Sequence, residues 1–428
     1  MKKLSDELKA RGFVAQHTGE SLAEVLDDKK RTVYHGIDPS ADSAHAGNMV
    51  IWMLLRHLTD AGHKVIFLVG GGTGMIGDPK PDSERVLQDE KVVAGNVTKI
   101  KEQAQRLIGG SSKITFVNNA DWLLKQPLVT FLRDIGKHFT VNELIKKEAI
   151  AARVGSEQGI SYTEFAYPLL QAFDYLYLNE TYACDLQVGG NDQWGSIVAG
   201  VDLVRRKKRE IVHALTVPLV VDKTTGKKFG KSEGNAVWLD PQKTSPYTFY
   251  QFWLNTSDES VIDYLKLFTL LPLEEISAIE EEFNQERASR SAQKRLALEV
   301  TRFVHGEKLA EAVAKVSALL FGDGDIASLS TKEREILLEN APSYGEFADK
   351  KLVEVVVGAG LANSNREARE FIQSGAITLD GAKLGDPEMK PNVTKPAILK
   401  RGKKNLVVLT GKSVRAKEKT GWLRRLFT

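Results

Sequence analysis

The stretch that decides the fold runs from Thr32 to Val69 and reads TVYHGIDPSADSAHAGNMVIWMLLRHLTDAGHKVIFLV. Its two ends, Thr32 to Ile37 and Val65 to Val69, are short, apolar and β-branched, and each is followed by Asp or Gly. Both are therefore predicted to be buried strands. Between them, Gly47 to Ala61 carries apolar residues at helical spacing. Strand, helix and strand in this order form the unit of a parallel sheet with crossover helices.

Further apolar runs extend this pattern along the chain. Strands are predicted at Ile114 to Asn118, Ala183 to Val188 and Ile211 to Val221. The fold class is therefore α/β, with a doubly wound, Rossmann-like parallel-sheet domain over residues 1–222. In such a domain, ligands are expected beyond the carboxyl ends of the strands.

The remainder of the chain changes character twice. From Pro246 to Leu320 the pattern is helical, and the charged stretch from Glu274 to Arg302, without Pro or Gly, predicts a solvated helix face. Turn-forming residues from Gly322 to Ser343 indicate a linker. We predict a mobile loop over 223–244, an α-helical domain over 245–325, a linker over 326–349, and a small basic α/β module with a tail over 350–428.

Charge is unevenly distributed along the chain. The whole chain carries a net charge of +3, yet from Lys350 onward there are 17 Lys and Arg against seven Asp and Glu. A basic module on a mildly acidic body indicates a polyanionic partner, of which nucleic acid is the first candidate. A solvated basic tail would give the same charge, so the two interpretations stay open at this point.

The sequence offers no signal for a membrane or for secretion. Its apolar runs are far shorter than the ~20 residues that span a bilayer, and its first residues turn acidic at Asp6, too early for a secretory signal. Cys184 is the single cysteine, which excludes an intrachain disulfide and a cysteine zinc cluster. We expect a cytoplasmic protein with no membrane partner.

A glycine motif, Gly72-Thr73-Gly74-Met75-Ile76-Gly77, has the spacing of a dinucleotide-binding fingerprint. The residues that follow it, Asp78-Pro79-Lys80-Pro81, cannot open the helix whose N-terminus would hold a pyrophosphate. We therefore reject nicotinamide and flavin binding. A P-loop is not expected either, because no Gly-Lys-Ser/Thr follows a glycine loop at the required spacing. The glycines instead allow a ligand to approach the backbone closely, with Asp78 facing it.

Two further motifs have residue types that suit phosphate. His45-Ala46-Gly47-Asn48 stands where the first helix begins, and helix N-termini attract phosphate. Lys227-Lys228-Phe229-Gly230-Lys231-Ser232 is a glycine-flanked loop in which Lys228 and Lys231 could hold a charged phosphate chain. Either motif alone is common on protein surfaces, so only their combination carries weight.

The two motifs together resemble the HIGH and KMSKS signatures of class I aminoacyl-tRNA synthetases. The blocks that resemble the tyrosyl-tRNA synthetase family in particular are Tyr34 to Ser43, Leu68 to Gly71, Ile76 to Pro79, Phe165 to Asp174 and Val188 to Gly195. From Lys350 to Leu409 the chain is similar to a small RNA-binding module. The resemblance implies a tyrosine–tRNA ligase, which activates L-tyrosine with ATP and transfers it to the 3′-terminal adenosine of tRNA(Tyr).

The resemblance also implies a tyrosine site. Its residues are Tyr34, Asp78, Tyr167, Gln171, Asp174 and Gln193. Tyr34 and Asp174 fall at the phenol, and both would be left without a hydrogen-bond partner if phenylalanine bound instead. Tyr167 and Gln171 are four residues apart, as on one helix face, and with Asp78 they fall where the family binds the ammonium group. Gln193 falls at the substrate carboxylate.

On the nucleotide side, the resemblance implies contacts to ATP and groups that promote the reaction. The ATP contacts are Asp38, Gly47, Asp192 and Lys231, and the catalytic residues are Ser40, His45, Asn48, Lys228 and Lys231. Tyrosine is already ionised at its carboxylate, so catalysis requires positioning and neutralisation of the departing pyrophosphate rather than a general base. Asn48 replaces the second histidine of the signature, and its amide can donate a similar hydrogen bond. Mg²⁺ is expected with ATP, without a protein ligand.

Candidate tRNA contacts lie in two basic clusters. They are Arg205, Arg206, Lys207 and Lys208 after a predicted helix, and Arg366, Arg369, Arg401, Lys403 and Lys404 in the C-terminal module. The family also implies a homodimer. The resemblance leaves the roles of His35, Lys80 and Arg85 open.

Three other functions compete with this one. A tryptophan-specific synthetase would need an indole pocket in place of the Tyr34 and Asp174 pair. A non-catalytic RNA-binding protein would have lost the signature residues, whereas His45, Gly47, Lys228 and Lys231 are all present. A nucleotidyltransferase of similar fold would need neither the phenol pair nor the C-terminal module.

Overall fold

A computed structural model of the chain describes residues 3–109, 113–157, 159–221, 231–232, 235–321, 328–394, 396–402 and 405–410. The chain divides into two compact units. The first comprises Met1–Ser245 with Phe252–Leu296, and the second comprises Pro246–Gln251 with Ala297–Thr428. The finer domain boundaries predicted from the sequence stay predictions.

The first unit is built on a sheet that has six strands among the described residues. They are β1 (Gln16–His17), β2 (Thr32–Ile37), β3 (Lys64–Val69), β4 (Ile114–Asn118), β5 (Leu186–Gly190) and β6 (His213–Val217). Their order is β1-β6-β5-β2-β3-β4, and every neighbouring pair is parallel except β1 with β6. From β2 the chain builds one side of the sheet through β3 and β4, then returns to β5 on the other side. This reversal between β2 and β5 is where doubly wound sheets bind ligands.

Helices connect these strands and continue beyond them. In chain order they are α1 (Leu4–Arg11), α2 (Leu22–Leu26), α3 (Met49–Asp60), α4 (Glu90–Ile108), α5 (Ala120–Leu123), α6 (Leu128–Asp134), α7 (Val141–Leu144), α8 (Glu148–Val154), α9 (Tyr162–Tyr182), α10 (Trp194–Lys208), α11 (Pro246–Leu254), α12 (Val261–Phe268), α13 (Leu273–Gln285) and α14 (Ser291–His305). The two strands β7 (Lys231–Ser232) and β8 (Asn235–Ala236) form a separate antiparallel pair. Buried side chains of β2 and β3 pack with those of α9 and α10 in one apolar core.

Two predicted boundaries shift for local reasons. The strand predicted from Ala183 begins only at Leu186, because Ala183 adopts a left-handed conformation (φ 53°) and ends α9 with its N–H bonded to the carbonyl of Asn179. The charged helical stretch from Glu274 to Arg302 is interrupted between α13 and α14, where Arg290 also has positive φ and donates to the carbonyl of Leu254 at 2.6 Å.

The second unit contains its own sheet and core. Its further elements are α15 (Glu307–Phe321), α16 (Thr331–Asn340), β9 (Ser343–Tyr344), α17 (Leu352–Gly358), α18 (Asn365–Gln373), β10 (Ile377–Leu379), β11 (Ala382–Lys383), β12 (Ala397–Arg401) and β13 (Asn405–Leu409). The strand order is β11-β10-β12-β13-β9. Side chains of α17, α18, β10, β12 and β13 share a buried apolar core.

The segment over 326–349, which is predicted to be a linker, contains regular structure, namely α16 and β9. The Ser330 hydroxyl accepts from the N–H of Glu333, whose carboxylate accepts in return from the N–H of Ser330 at 2.6 Å. This reciprocal cap favours a helix in a stretch that turn composition had marked as irregular. The predicted fold class, a doubly wound sheet followed by helices and a small α/β module, is confirmed.

No helix in the described ranges combines the length and the apolar character that crossing a membrane requires.

Candidate active site

A cleft of about 1090 Å³ opens at the reversal point between β2 and β5. The structure brings into its lining every described residue predicted for tyrosine, ATP or catalysis, namely Tyr34, Asp38, Ser40, His45, Gly47, Asn48, Asp78, Tyr167, Gln171, Asp174, Asp192 and Gln193. His35, Lys80 and Arg85, whose roles the sequence left open, line the same cleft. Lys228 lies outside the described residues, as does the side chain of Lys231, whose backbone forms part of β7.

One end of the cleft holds the predicted phenol pair. Tyr34 comes from β2, and its ring packs edge-on against Tyr175 with 5.2 Å between centroids. Its hydroxyl is buried and has no hydrogen-bond partner among the described residues. Because a buried polar group without a partner is costly, this hydroxyl suits a ligand that brings a hydrogen-bonding group to it.

Asp174, on α9, is held by two donors. Its Oδ1 accepts from Trp122 Nε1 at 2.8 Å, and its Oδ2 accepts from Asn119 Nδ2 at 2.9 Å. Burial nevertheless raises the pKa of Asp174 to about 7, since desolvation outweighs the two hydrogen bonds that favour the carboxylate. The carboxyl group is thus fixed in orientation, and a further hydrogen-bond donor from a ligand would stabilise its ionised form.

A hydrogen-bond chain leads from Asp174 towards the middle of the cleft. Besides Asp174, Asn119 Nδ2 donates to Thr73 Oγ1 at 2.9 Å, and Thr73 donates to Asp38 Oδ1 at 2.7 Å. Tyr167 donates its hydroxyl to Asp38 Oδ2 at 2.8 Å. A side chain at Gly70 would collide with the Asp38 carboxylate and the Thr73 hydroxyl, so glycine is required there for this approach.

The middle of the cleft carries a second carboxylate, that of Asp78. Gln193 Nε2 donates to Asp78 Oδ2 at 2.8 Å, and burial raises the pKa of Asp78 to about 6. Gln171 lies nearby in the lining, with a buried Oε1 that has no hydrogen-bond partner among the described residues. Acceptors and carboxylates grouped in this way suit a cationic ligand group such as an ammonium ion.

The other end of the cleft is formed by a tight turn before α3. His45 Nδ1 accepts from the N–H of Gly47 at 3.1 Å, and the His45 N–H donates to Asn48 Oδ1 at 3.0 Å. An accepting Nδ1 places the ring proton of a neutral imidazole on Nε2. Asn48 thus closes the turn with its side-chain oxygen, and the donation predicted from the sequence would come from the other end of the same amide, Nδ2.

Residues 79–89 run along the cleft without helix or strand, anchored by a buried ion pair. Arg153 and Glu164 are each 2% exposed, with 3.2 Å between Nη1 and Oε2. Arg153 also donates to the carbonyl of Ser83 at 2.6 Å, and Glu164 accepts from the N–H of Arg85 at 2.9 Å. The Arg85 side chain donates in turn to the carbonyl of Asp78 at 2.7 Å. Lys80 and Arg85 are therefore held beside the cleft by residues far away in the sequence.

His35 can be assigned a charge state. Burial lowers its pKa to about 4, and its Nδ1 lies 3.3 Å from the carbonyl of Val188. The ring is therefore neutral at neutral pH and donates from Nδ1.

The predicted tRNA contacts lie outside this cleft. Arg205 to Lys208 form the last turn of α10, where Arg205 pairs with Asp202 at 2.7 Å. In the second unit, Arg366 pairs with Glu370 and Arg369 pairs with Glu388, while Arg401 lies over the ring of Phe371. Lys403 and Lys404 lie outside the described residues. Exposed ion pairs of this kind are worth at most ~1 kcal/mol, so these cations can exchange their partners for phosphates.

Sequence reasoning missed the supports of the site, which are Thr73, Asn119, Trp122, Arg153 and Glu164. Asn119 follows the carboxyl end of β4, and this position relative to a predicted strand could have marked it. Trp122 and the buried ion pair carry no comparable signal in the sequence.

Comparison with known proteins identifies the family. A model described as class I tRNA synthetases (W and Y) matches residues 26–322, and one for the tyrosine–tRNA ligase SYY-like C-terminal domain matches residues 333–409. The chain is 48% identical to the tyrosine–tRNA ligase of Streptococcus mutans over 419 residues, which cover 95% of this chain and 99% of that protein. It is 46% identical to the tyrosine–tRNA ligase of Lactococcus lactis subsp. cremoris, with the same coverage.

Solved structures agree with this assignment. A C-terminally truncated mitochondrial tyrosyl-tRNA synthetase from Aspergillus nidulans matches with a TM-score of 0.67 at 32% identity, over 75% of this chain and 95% of that one. A tryptophanyl-tRNA synthetase from Plasmodium falciparum matches with a TM-score of 0.54 at 14% identity, over 78% of this chain and 89% of that one. Since both specificities share the fold, sequence identity decides between them, and the chain belongs to the tyrosine–tRNA ligase family of class I aminoacyl-tRNA synthetases.

Proposed function

We propose that the cleft activates L-tyrosine with ATP and then passes tyrosine to the 3′-terminal adenosine of tRNA(Tyr). The observation that carries the proposal is the unpartnered, buried hydroxyl of Tyr34 in the same cleft as the fixed carboxyl of Asp174. A phenol hydroxyl can accept a hydrogen bond from Tyr34 and donate one to Asp174, whereas an indole has no oxygen to offer and phenylalanine has no polar group.

The rest of the substrate follows from this placement. The ammonium group binds at Asp78, Tyr167 and Gln171, where the Asp78 carboxylate and the unpartnered Gln171 Oε1 lie. Gln193 donates from its amide to Asp78 in the structure, and in the complex with tyrosine it turns the same amide towards the substrate carboxylate. Asp38, Gly47, Asp192 and Lys231 bind the nucleotide.

In the first step, a carboxylate oxygen of tyrosine attacks the α-phosphorus of ATP. The new bond joins carboxylate and α-phosphate, the bond to the bridging oxygen breaks, and pyrophosphate leaves with that electron pair. Ser40, His45, Asn48, Lys228 and Lys231 position the phosphates and neutralise the growing charge, with the Nε2–H of His45 as one donor. Mg²⁺ would accompany ATP and would neutralise charge on its phosphates.

In the second step, a terminal ribose hydroxyl of tRNA attacks the carbonyl carbon of the adenylate and AMP leaves. Two basic clusters hold the tRNA backbone, namely Arg205, Arg206, Lys207 and Lys208, and Arg366, Arg369, Arg401, Lys403 and Lys404. The weak surface ion pairs of Arg205, Arg366 and Arg369 support this role. In the domain division predicted from the sequence, the first cluster belongs to the catalytic domain over 1–222 and the second to the basic module over 350–428.

The enzyme is proposed to act as a homodimer in the cytoplasm. Apolar side chains are exposed along one stretch of the first unit, including Leu128 at 71%, Val129 at 77%, Val141 at 61% and Tyr162 at 69%. So many large apolar side chains left in water indicate a surface that is covered by a partner, and a second copy of the chain is the partner that the family offers.

Pyrophosphate exchange with each standard amino acid tests the activation step. We expect exchange with tyrosine and background rates with tryptophan and phenylalanine. Exchange supported by tryptophan would instead favour the tryptophan-specific alternative, and no exchange at all would favour a non-catalytic RNA-binding protein.

The tRNA contacts are tested by replacing Arg366, Arg369 and Arg401 together with alanine. We expect adenylate formation to be unchanged, tRNA affinity to fall, and the log–log salt dependence of tRNA binding to flatten by somewhat less than ~0.9 per lost contact. A matched control replaces the exposed Lys91 and Lys101 of α4 and should leave the slope unchanged. An unaltered slope in the arginine variant would show that the module does not bind tRNA through these residues.

A further inference from the structure

The chain that follows the KMSKS-type motif is bound to the HIGH-type turn. We define the return segment as Val237–Lys243, which lies within the loop predicted over 223–244, and the signature turn as Ala44–Asn48. The N–H of Ala46 donates to the carbonyl of Val237 at 2.8 Å, and the N–H of Leu239 donates to the carbonyl of Ala44 at 2.9 Å. These bonds form an antiparallel bridge that sets His45 opposite Trp238.

The two side chains of this bridge are in contact. The indole of Trp238 meets the imidazole of His45 edge-on, with 6.2 Å between ring centroids and 62° between planes. On its other edge, the His45 ring is bound through Nδ1 to the N–H of Gly47. A flip of the imidazole ring would break the hydrogen bond to Gly47, and the indole limits rotation of the ring about the side-chain bonds of His45.

Trp238 is itself fixed from two directions. The backbone N–H of Trp238 donates to Thr244 Oγ1 at 2.9 Å, and the ammonium group of Lys243 lies 5.2 Å from the centre of the indole ring. Lys243 pairs with Asp42 at 2.5 Å, just before the signature turn. Because the indole is partly exposed, it contributes little to the apolar core. Because it is held in place, it can instead fix the orientation of the His45 ring that it contacts.

We propose that Trp238 is a positioning residue for His45, so that the return segment holds the imidazole in the orientation that contacts the phosphates. The inference rests on the proposed role of His45 and goes beyond it, because it assigns that orientation to a residue that is remote in sequence and touches no substrate. It also means that the return segment and the signature turn form one hydrogen-bonded unit.

A double-mutant cycle tests this coupling in the full-length enzyme. Single-turnover adenylate formation and tyrosine affinity are measured for Trp238→Leu, His45→Ala and the double variant. We expect Trp238→Leu to slow adenylate formation about tenfold with tyrosine affinity unchanged, and to add less than about twofold in the His45→Ala background. Trp238→Phe, which keeps an aromatic edge, should remain within about threefold of the unaltered enzyme.

Two further variants keep the test decisive. Lys243→Met removes the surface cation over the indole without opening the core, and it should slow the reaction about threefold only when His45 is present. Tyr182→Leu, which removes a partly exposed ring outside the cleft lining, is the matched control and should change neither rate nor affinity.

The outcomes separate the inference from the function on which it rests. Equal losses from Trp238→Leu with and without His45, or a loss of tyrosine affinity, would overturn the positioning role and leave the role of His45 intact. Normal adenylate formation in His45→Ala would instead refute the role of His45 itself. If Trp238→Leu does not fold, the same cycle run with Lys243→Met decides the question.

Discussion

The two ends of the cleft are built in opposite ways. At the phenol end, Tyr34 stands within β2, and Asp174 stands within α9 under two buried donors. At the end proposed for the phosphates, His45 sits on a tight turn, and residues 79–89 run beside the cleft without helix or strand. In the proposed function, tyrosine recognition therefore rests on a strand and a helix, whereas the reaction relies on turns that other segments hold in place.

This difference follows from what each end must do. Discrimination between tyrosine and phenylalanine requires acceptors and donors whose positions cannot relax to suit the wrong ligand. The end proposed for the phosphates would have to admit ATP and release pyrophosphate, so its groups come from segments without long regular structure, held by hydrogen bonds and ion pairs. Substitutions at the two ends should therefore have different kinetic signatures.

The largest effect is expected at the phenol end. Asp174→Ala removes a charge-assisted hydrogen bond to the substrate and should lower kcat/KM for tyrosine by about 10³-fold, while the already poor use of phenylalanine changes little. Pyrophosphate exchange with both amino acids measures this. Equal losses for both would mean that Asp174 supports the fold rather than recognising the phenol.

At the phosphate end, Lys231→Ala should slow adenylate formation about a hundredfold with tyrosine affinity nearly unchanged. The reason is that a contact to the departing pyrophosphate contributes mainly in the transition state, by roughly 3 kcal/mol. Single-turnover kinetics at a series of tyrosine concentrations measures both the rate of adenylate formation and the affinity for tyrosine. Lys125→Ala, an exposed lysine outside the cleft lining, is the control, and a normal rate for Lys231→Ala would remove this residue from the mechanism.

A smaller effect is expected from pH. Burial raises the pKa of Asp78 to about 6, so the carboxylate that would pair with the substrate ammonium becomes neutral as pH falls through 6. The protonation of Asp78 should contribute a roughly tenfold rise in the KM for tyrosine between pH 7 and pH 5, in addition to the rise that protonation of Asp174, with a pKa of about 7, contributes. Asp78→Asn should have a high KM that lacks this tenfold component. A KM in the unaltered enzyme that stays flat to pH 5 would exclude ammonium binding by Asp78.

The smallest effect is expected at Asn48. Its Oδ1 accepts the N–H of His45, and loss of such a cap costs about 1 kcal/mol. Asn48→Ala should therefore slow adenylate formation about fivefold. Asn48→His should recover most of the rate, because an imidazole nitrogen can accept the same bond. Thermal melting checks that the loss is kinetic, and a drop as large as that of His45→Ala would give Asn48 a direct role.

Sequence patterns predicted the fold well because the strands are short and apolar and are followed by turn-forming residues such as Asp or Gly. The strands at Thr32–Ile37 and Ile114–Asn118 have the predicted bounds. Patterns failed where a local cap overrode composition, as at Ala183 and in α16. Neither a left-handed C-cap on alanine nor a capping box inside a turn-rich stretch is visible in hydrophobic periodicity.

The site was predictable only where its residues lie in contiguous motifs. Asp174 belongs to such a block, but its partners Asn119 and Trp122 lie 55 and 52 residues away. Arg153 and Trp238 likewise act on segments that only the fold brings near. Residues that hold other residues in place are constrained by geometry in three dimensions, and a single sequence carries no record of that.

The raised pKa of Asp174 has a consequence for the heat of binding. With a pKa of about 7 for Asp174, the carboxyl is protonated in about half of the molecules at neutral pH. A phenol that donates to the ionised form lowers that pKa, so each binding event should release a fraction of a proton into solution. The calorimetric enthalpy of tyrosine binding at pH 7 should accordingly depend on the ionisation enthalpy of the buffer, and that dependence should weaken as the pH is raised from 7 to 8.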